Sequence, residues 1–215
     1  MARLFNRAAQ EYLENTSFAA LAEPLTLAAW FYSDNATAFQ MILGVGDDSA
    51  DKDWTIQAAG NIAGDPIYAQ SFTGGTPSEA VTTTGYSTNT WHHACGLFIA
   101  ANSRAAFIDG GSKGTNAGNQ VVNGIDTVRI GTAADQTIGY FSGRIAEAAV
   151  WDVALADEEV ASLAKGYSPL LIRPQSLIAY WPLVRDEDQD RVGGFDLTAI
   201  NTPSIAPHSP AIYPK

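Results

Sequence analysis

Side chains able to do chemistry are sparse in this chain, and their spacing restricts what they could do. His92 and His93 are adjacent. Neighbours on an extended segment point to opposite faces, so the two imidazoles cannot serve one metal or share one acid–base task. His208 stands alone in a proline-rich tail, and there is no Gly-x-Ser-x-Gly elbow to supply a nucleophile. Glycoside cleavage asks for two carboxylates flanking the scissile bond. Glu147 is the one acid inside a strand-like apolar block, residues 143–151, and one carboxylate cannot divide the roles of acid and nucleophile. Its expected part is a hydrogen bond at a sheet rim or between strands, and the chain is expected not to be an enzyme.

Binding is better provided for. Asp47, Asp48, Asp51 and Asp53 form one acidic cluster, and residues 186–190 a second. Calcium takes roughly six to eight oxygens, which loop carboxylates and carbonyls can supply. The second cluster opens like an EF-hand loop, but Arg191 stands at the turn glycine and Leu197 at the bidentate glutamate, which excludes that motif. The ordinary role of either cluster is a solvated acidic loop. Among aromatic residues, Trp30, Trp91, Trp151 and Trp181 fall inside strand-like runs and are expected in the core. Trp54, Tyr68, Phe72, Tyr86 and Tyr140 lie nearer loops and are the candidate ligand contacts, because sugar faces stack on exposed rings.

Many short strands must position these groups. Nineteen glycines are spread along the chain, and β-branched and aromatic runs alternate with clusters of Gly, Asn, Asp, Ser and Thr. Strands are predicted over residues 25–32, 40–44, 54–57, 67–72, 91–98, 103–108, 127–131, 143–151 and 177–181. In the first, Leu25, Leu27 and Ala29 share one face and Thr26, Ala28 and Trp30 the other. Two apolar faces mark a central strand covered on both sides. Asp109-Gly110-Gly111 predicts a tight hairpin, since Asp and Gly accept positive φ, with the returning strand near residues 113–117. A single helix is predicted over 157–166, with acids in its first turn and Gly166 at its C-terminal cap. Residues 168–174 read as an extended connector and 202–214 as a tail laid along a surface.

With 215 residues, 46% hydrophobic and 16% charged, the chain has material for one core and too little charge for disorder. A net charge of −11 with four lysines leaves no basic stripe for nucleic acid and disfavours anionic membranes. Cys95, within an apolar run, is expected as a buried thiol. No apolar segment follows the N-terminal arginines and no run of eighteen apolar residues occurs, so neither a secretory signal nor membrane insertion is expected. The protein would then stay in the producing cell or leave by lysis, as virion parts do.

Taken in order, Tyr12-Leu-Glu, the run 25–32, Thr90-Trp-His-His-Ala94, Ala106-Phe-Ile-Asp-Gly110, Val128-Arg-Ile-Gly131, the block 141–151 and Ala154-Leu-Ala-Asp-Glu-Glu-Val160 resemble the LamG-like jelly roll of the concanavalin A-like lectins and glucanases. That resemblance spans roughly residues 8–167 and implies an all-β, two-sheet antiparallel sandwich with one short helix. The family usually places a serine cap where Ala156 stands, so the cap here is absent or shifts to Asp157. Tyr180-Trp-Pro-Leu183 resembles a strand that precedes the core in many members. Its place after the helix resembles phage-type members and implies one domain over 1–215, with 176–215 adding a strand and tail to the same sandwich. The implied function is non-enzymatic: a phage virion component, decorating a capsid or attached to a tail or fibre, or else a free-standing carbohydrate-binding module. Capsid or tail proteins, glycans and further copies of the chain are the implied partners, with calcium at the sandwich rim the one implied cofactor.

Overall fold

The computed structural model describes residues 1–48, 50–134, 138–184 and 188–209. Fifteen strands are described: β1 (Ala2–Phe5), β2 (Tyr12–Asn15), β3 (Leu25–Ser33), β4 (Phe39–Asp47), β5 (Lys52–Ala59), β6 (Pro66–Phe72), β7 (Ser78–Gly85), β8 (His92–Ala100), β9 (Ser103–Ile108), β10 (Gly111–Asn116), β11 (Thr127–Ile130), β12 (Gly143–Trp151), β13 (Leu177–Trp181), β14 (Thr198–Ile200) and β15 (Ser204–Ala206). They pair antiparallel throughout in two sheets. One runs β10-β9-β8-β3-β12-β1-β15, with β13 also on β12; the other runs β14-β2-β11-β4-β5-β6-β7. The helix α1 spans Asp157–Ala164. The molecule is therefore a two-sheet antiparallel sandwich with one helix, as the alternating runs predict.

Period-two alternation assigns each strand's two faces. In β3, Leu25, Leu27, Ala29 and Phe31 enter the core between the sheets with Trp54, Phe98 and Trp181, while Ala28 joins Cys95, Phe107, Trp151 and Leu163 beneath α1. Both sides of β3 are thus dry, and Cys95 is a buried thiol whose pKa burial raises well above its ordinary value. At the predicted hairpin, Asp109 and Gly110 have φ of 51° and 74°. A Cβ on Gly110 would also come within 2.8 Å of Ala161 Cα, so the glycine serves both the turn and the approach of the helix. Ala156 caps α1 without a side-chain acceptor, and Glu159 Oε2 instead accepts the Ala156 N–H at 2.7 Å.

β1 and β13 lie end to end along one edge of β12, β1 on residues 143–145 and β13 on residues 148–151. The gap between them faces a bulge that also offsets β12 against β3 between Ala146 and Ala149. Arg3 reaches from β1 to Asp188, a buried ion pair at 2.8 Å. No helix among the described residues is long and apolar enough to cross a membrane.

Candidate functional site

The outward face of the seven-stranded sheet is built from rows fixed by strand register. One row reads Glu14, Arg129, Gly44, Thr55, Gln70, Glu79 across β2, β11, β4, β5, β6 and β7. Gly44 and Gly46 matter because they carry nothing. A Cβ on Gly44 would sit 2.8 Å from Thr55 Cγ2, and one on Gly46 2.9 Å from Ala134 Cβ. The chain after β11 can therefore lie flat on the sheet, where Ala134 O accepts from Arg129 Nη1 at 3.1 Å. Arg129 also donates to Glu14 at 2.9 Å and to Asp48, so its guanidinium is fully engaged.

Beside this covered half, the outward side chains of β4, β5 and β6 are largely buried as well, except along one depression. A groove of about 170 Å³ runs over them, walled by Phe39, Met41, Phe72 and Ile138, with Asp53 and Gln70 as its polar groups. Phe39 meets the ring of Tyr68 edge-on at 6.5 Å. Gln70 is 8% exposed, and no hydrogen bond engages its carboxamide among the described residues. Next to Met41 in register, the buried Gln57 spends Nε2 on Thr55 Oγ1 at 2.5 Å, while its Oε1 has no partner among the described residues. An orphaned buried carbonyl costs about 1–3 kcal/mol unless something else donates to it.

The structure sorts the residues expected from sequence. Phe72 lines the groove and Tyr68 stands beside it. Asp53, expected as an oxygen ligand, is also a groove residue. Trp54 and Tyr86 must be corrected: both are core side chains, 0% and 5% exposed, and neither offers a face to a ligand. Trp54 shares the inward parity of Ile56 and Ala58 and donates Nε1–H to Glu23 at 3.1 Å, while the Tyr86 hydroxyl donates to Asn35 O at 2.9 Å. Tyr140 packs on Tyr12 at 6.3 Å, apart from the groove. Asp47, Asp48, Asp51 and Asp53 are not gathered round one point, and the described residues hold no group of three or more His, Cys, Asp or Glu side chains able to take a metal. Residues 186 and 187 of the second acidic cluster lie outside the described residues.

Glu147 is more constrained than a rim residue. It sits on the β12 bulge at φ 53°, 3% exposed, where Tyr180 donates its hydroxyl at 2.5 Å and His208 Nε2 lies 2.9 Å away. A non-glycine residue at positive φ inside a strand costs of order 1–3 kcal/mol, so the surrounding packing must hold it there. A cavity of about 10 Å³, one water's worth, is lined by Glu147, His93 and Trp30. Burial lowers the His93 pKa to about 4 against an opposing pull from Asp109, and its Nδ1 has no partner among the described residues.

On the other face, His92 Nδ1 lies 2.8 Å from Asp109 Oδ2, and Ser87 Oγ lies 3.1 Å from Nε2. This is the hydrogen-bond order of a hydrolase triad. The backbone N–H of Ser87, however, donates to the same Nε2 at 3.1 Å, and Asp109 Oδ1 accepts the His93 N–H at 2.9 Å. The lone pair a general base needs is already shared with the main chain, so the trio clasps the β7–β8 connection to the β9–β10 turn. Burial pushes the Asp109 pKa up, but the hydrogen bonds from His92 and the His93 N–H outweigh it and leave the carboxyl below its ordinary range.

A family model described as concanavalin A-like lectin/glucanases superfamily, of the laminin-G-3 type, matches residues 7–161. No curated protein sequence matches. Solved structures resemble the chain in fold at low identity. A heptameric SAP-like pentraxin from Limulus polyphemus has a TM-score of 0.60 at 16% identity, covering 76% of this chain and 81% of its own. A candidate carbohydrate-binding protein from Bacteroides ovatus has a TM-score of 0.63 at 18% identity, covering 97% of this chain, which spans 61% of it. Tailspike protein 2 of the Escherichia coli O157:H7 bacteriophage CAB120 has a TM-score of 0.58 at 14% identity, covering 84% of this chain, which spans 26% of it. At these identities the likeness concerns the fold alone.

Proposed function

This chain belongs to the concanavalin A-like lectin/glucanases superfamily, and from that premise we propose that it is a non-catalytic glycan-binding domain whose groove over β4, β5 and β6 receives one sugar ring. The observation that carries this reading is the pairing of apolar walls with an unengaged carboxamide. Phe39 and Phe72 offer apolar ring surface to C–H groups, and the Gln70 carboxamide offers a donor and an acceptor to hydroxyls. The groove's 170 Å³ is below the roughly 300–1,000 Å³ of drug-sized sites, which suits a single ring. Catalysis is left out because Asp53 is the one carboxylate among the described residues that line it, and glycoside cleavage needs two. Single-ring sites bind weakly, and a homo-oligomer would gain avidity by presenting several.

A glycan array followed by calorimetry tests the site. Phe72→Ala and Gln70→Ala should each weaken the best array hit by roughly tenfold, the loss expected of central contacts. Val192→Ala, an exposed change elsewhere, should not. Unchanged affinity in both groove variants retires the groove. A role in a phage particle, decorating a capsid or attached to a tail, is the second reading, favoured by the likeness to a phage tailspike. Under it, salt-washed particles from a phage carrying this sequence contain the chain by mass spectrometry; absence from them removes that role and leaves a free-standing module.

A further inference from the structure

We infer that the outer face of the eight-stranded sheet carries a second site, which holds the carboxylate of an acidic sugar on Arg144 and the sugar ring against Trp91. Its ligand class rests on the glycan reading above, and its position does not involve the groove. Register sets Tyr32 beside Arg144, Arg144 beside Leu4 and Leu4 beside Ser204 across β3, β12, β1 and β15, and Trp91, the residue before β8, meets Tyr32 edge-on at 5.7 Å. Alternation turns this row outward, since Phe31 and Ile145 enter the core. Trp91, expected in the core, is only half-buried, as are Tyr32 and Arg144. The Arg144 guanidinium lies 4.4 Å over the Tyr32 ring. That contact places the cation without engaging its N–H donors, none of which meets an acceptor among the described residues. By contrast, Arg3, Arg7, Arg104, Arg129 and Arg173 all donate to acceptors within the fold. The exposed Asp34, two residues past Tyr32, forms no ion pair with Arg144. The indole N–H groups of Trp54, Trp151 and Trp181 are spent on Glu23, Ile172 O and Phe195 O, whereas that of Trp91 has no acceptor among the described residues.

A guanidinium is a planar fork of donors that matches the two oxygens of a carboxylate, and it gives up its weak hydration at little cost. The half-buried indole beside it offers apolar surface to ring C–H groups and one more donor to a ring oxygen. Neither Arg144 nor Trp91 can accept a hydrogen bond. The pair therefore favours a ligand that brings acceptors, and a carboxylate brings two oxygens where a hydroxymethyl group brings one. The net charge of −11 repels anions at a distance, but that field is screened over about 8 Å at physiological salt, while the guanidinium acts at contact. The described part of the C-terminal tail runs from Ser204 beside Leu4 to His208 beside Glu147, away from Arg144 along β12.

Matched sugars differing only at C6 isolate the effect: glucose against glucuronate, and galactose against galacturonate, each titrated into the nitrogen-labelled whole chain while the indole N–H signals are followed by NMR. The Trp91 signal is the one missing from Trp91→Phe. In at least one pair the uronate should bind about threefold or more tightly than its neutral partner and move the Trp91 signal, the gain expected of a charge-assisted fork. Arg144→Gln should remove that preference, and Phe72→Ala in the groove should leave it intact. Because the wild-type ratio is read by itself, a poorly folding Arg144→Gln does not remove the test. Equal or tighter binding of the neutral member by the wild-type protein, or no binding of either uronate, overturns the site. So does a uronate preference that Phe72→Ala abolishes and Arg144→Gln leaves unchanged, which would put the acid in the groove. In each of these cases an array hit weakened by Phe72→Ala leaves the glycan reading standing; no array hit and no uronate binding removes both.

Discussion

Removal of residues 176–215 is expected to leave a chain that no longer unfolds cooperatively. The deleted strand β13 places Ala179, Tyr180 and Trp181 at 2% exposure or less. Emptying one buried tryptophan site costs about 3–5 kcal/mol, a large share of the roughly 5–15 kcal/mol that holds a typical domain together. The truncation does more than open a cavity. Half of the outer edge of β12 loses its partner, Glu147 loses both Tyr180 and His208, and Arg3 loses Asp188. A buried charge stripped of its partner costs about 3–5 kcal/mol, so the sum is comparable with the whole stability of the domain. Thermal melting followed by near-ultraviolet circular dichroism should show a sharp transition for the whole chain and none for residues 1–175. A cooperative melt of the fragment within about 5 °C of the parent, the shift that a loss of only 1–2 kcal/mol would give, would instead make residues 176–215 an appendage to a self-sufficient sandwich.

Mild acid should destabilise the protein, with His93 as the main cause. Its pKa is lowered to about 4 in the folded state from an ordinary 6.5. As pH falls, the unfolded chain takes up that proton first. Stability from this group is complete above pH 7 and is lost between about pH 6.5 and 4. At pH 5 the loss is about 2 kcal/mol. The groups around the imidazole are few: the Trp30 ring 5.5 Å away, Glu147 and Tyr167 in the shared cavity, and Asp109, whose charge opposes the burial effect without cancelling it. Asp109 itself sits below its ordinary range, so its contribution fades only at lower pH. Urea titrations at pH 7 and pH 5 should show the drop in the parent and little of it in His93→Gln, whatever that variant's absolute stability. An equal drop in both proteins would rule His93 out as the source.

Much of the architecture was legible because period-two alternation is a local property. Residues 25–32, 143–151 and 177–181 announce strands as short apolar and aromatic runs buried on both faces, and Asp109-Gly110 announces its turn through the φ values it tolerates. Strands β1, β14 and β15 carry no such signal. They are three or four residues long, include Arg3 and the exposed Thr198 and Ile205, and exist by pairing with distant partners. β7 does alternate, with Ala80 and Thr82 inward and Val81 and Thr83 exposed, but its small polar residues make the pattern faint.

The site was legible only in part. Tyr68 and Phe72, candidate ligand contacts from sequence, share one face of β6, and the alternation along that strand places Gln70 between them. Parity would equally have moved Trp54 inward with Ile56. Phe39 and Met41 were hidden by the irregularity in register between Met41 and Leu43, which breaks the alternation of β4.

By itself the sequence determined which segments extend, where they turn, that one helix forms near residues 157–166, and that the net charge is acidic, because each follows from side-chain chemistry within a few residues. Tertiary structure alone decided that Asp53 lines a groove over β4–β6 and that Glu147 is a buried anchor for Tyr180 and His208. Those outcomes depend on which of the remote segments lie against one another. That choice is set by the free energy of closing the whole sandwich, not by any local pattern.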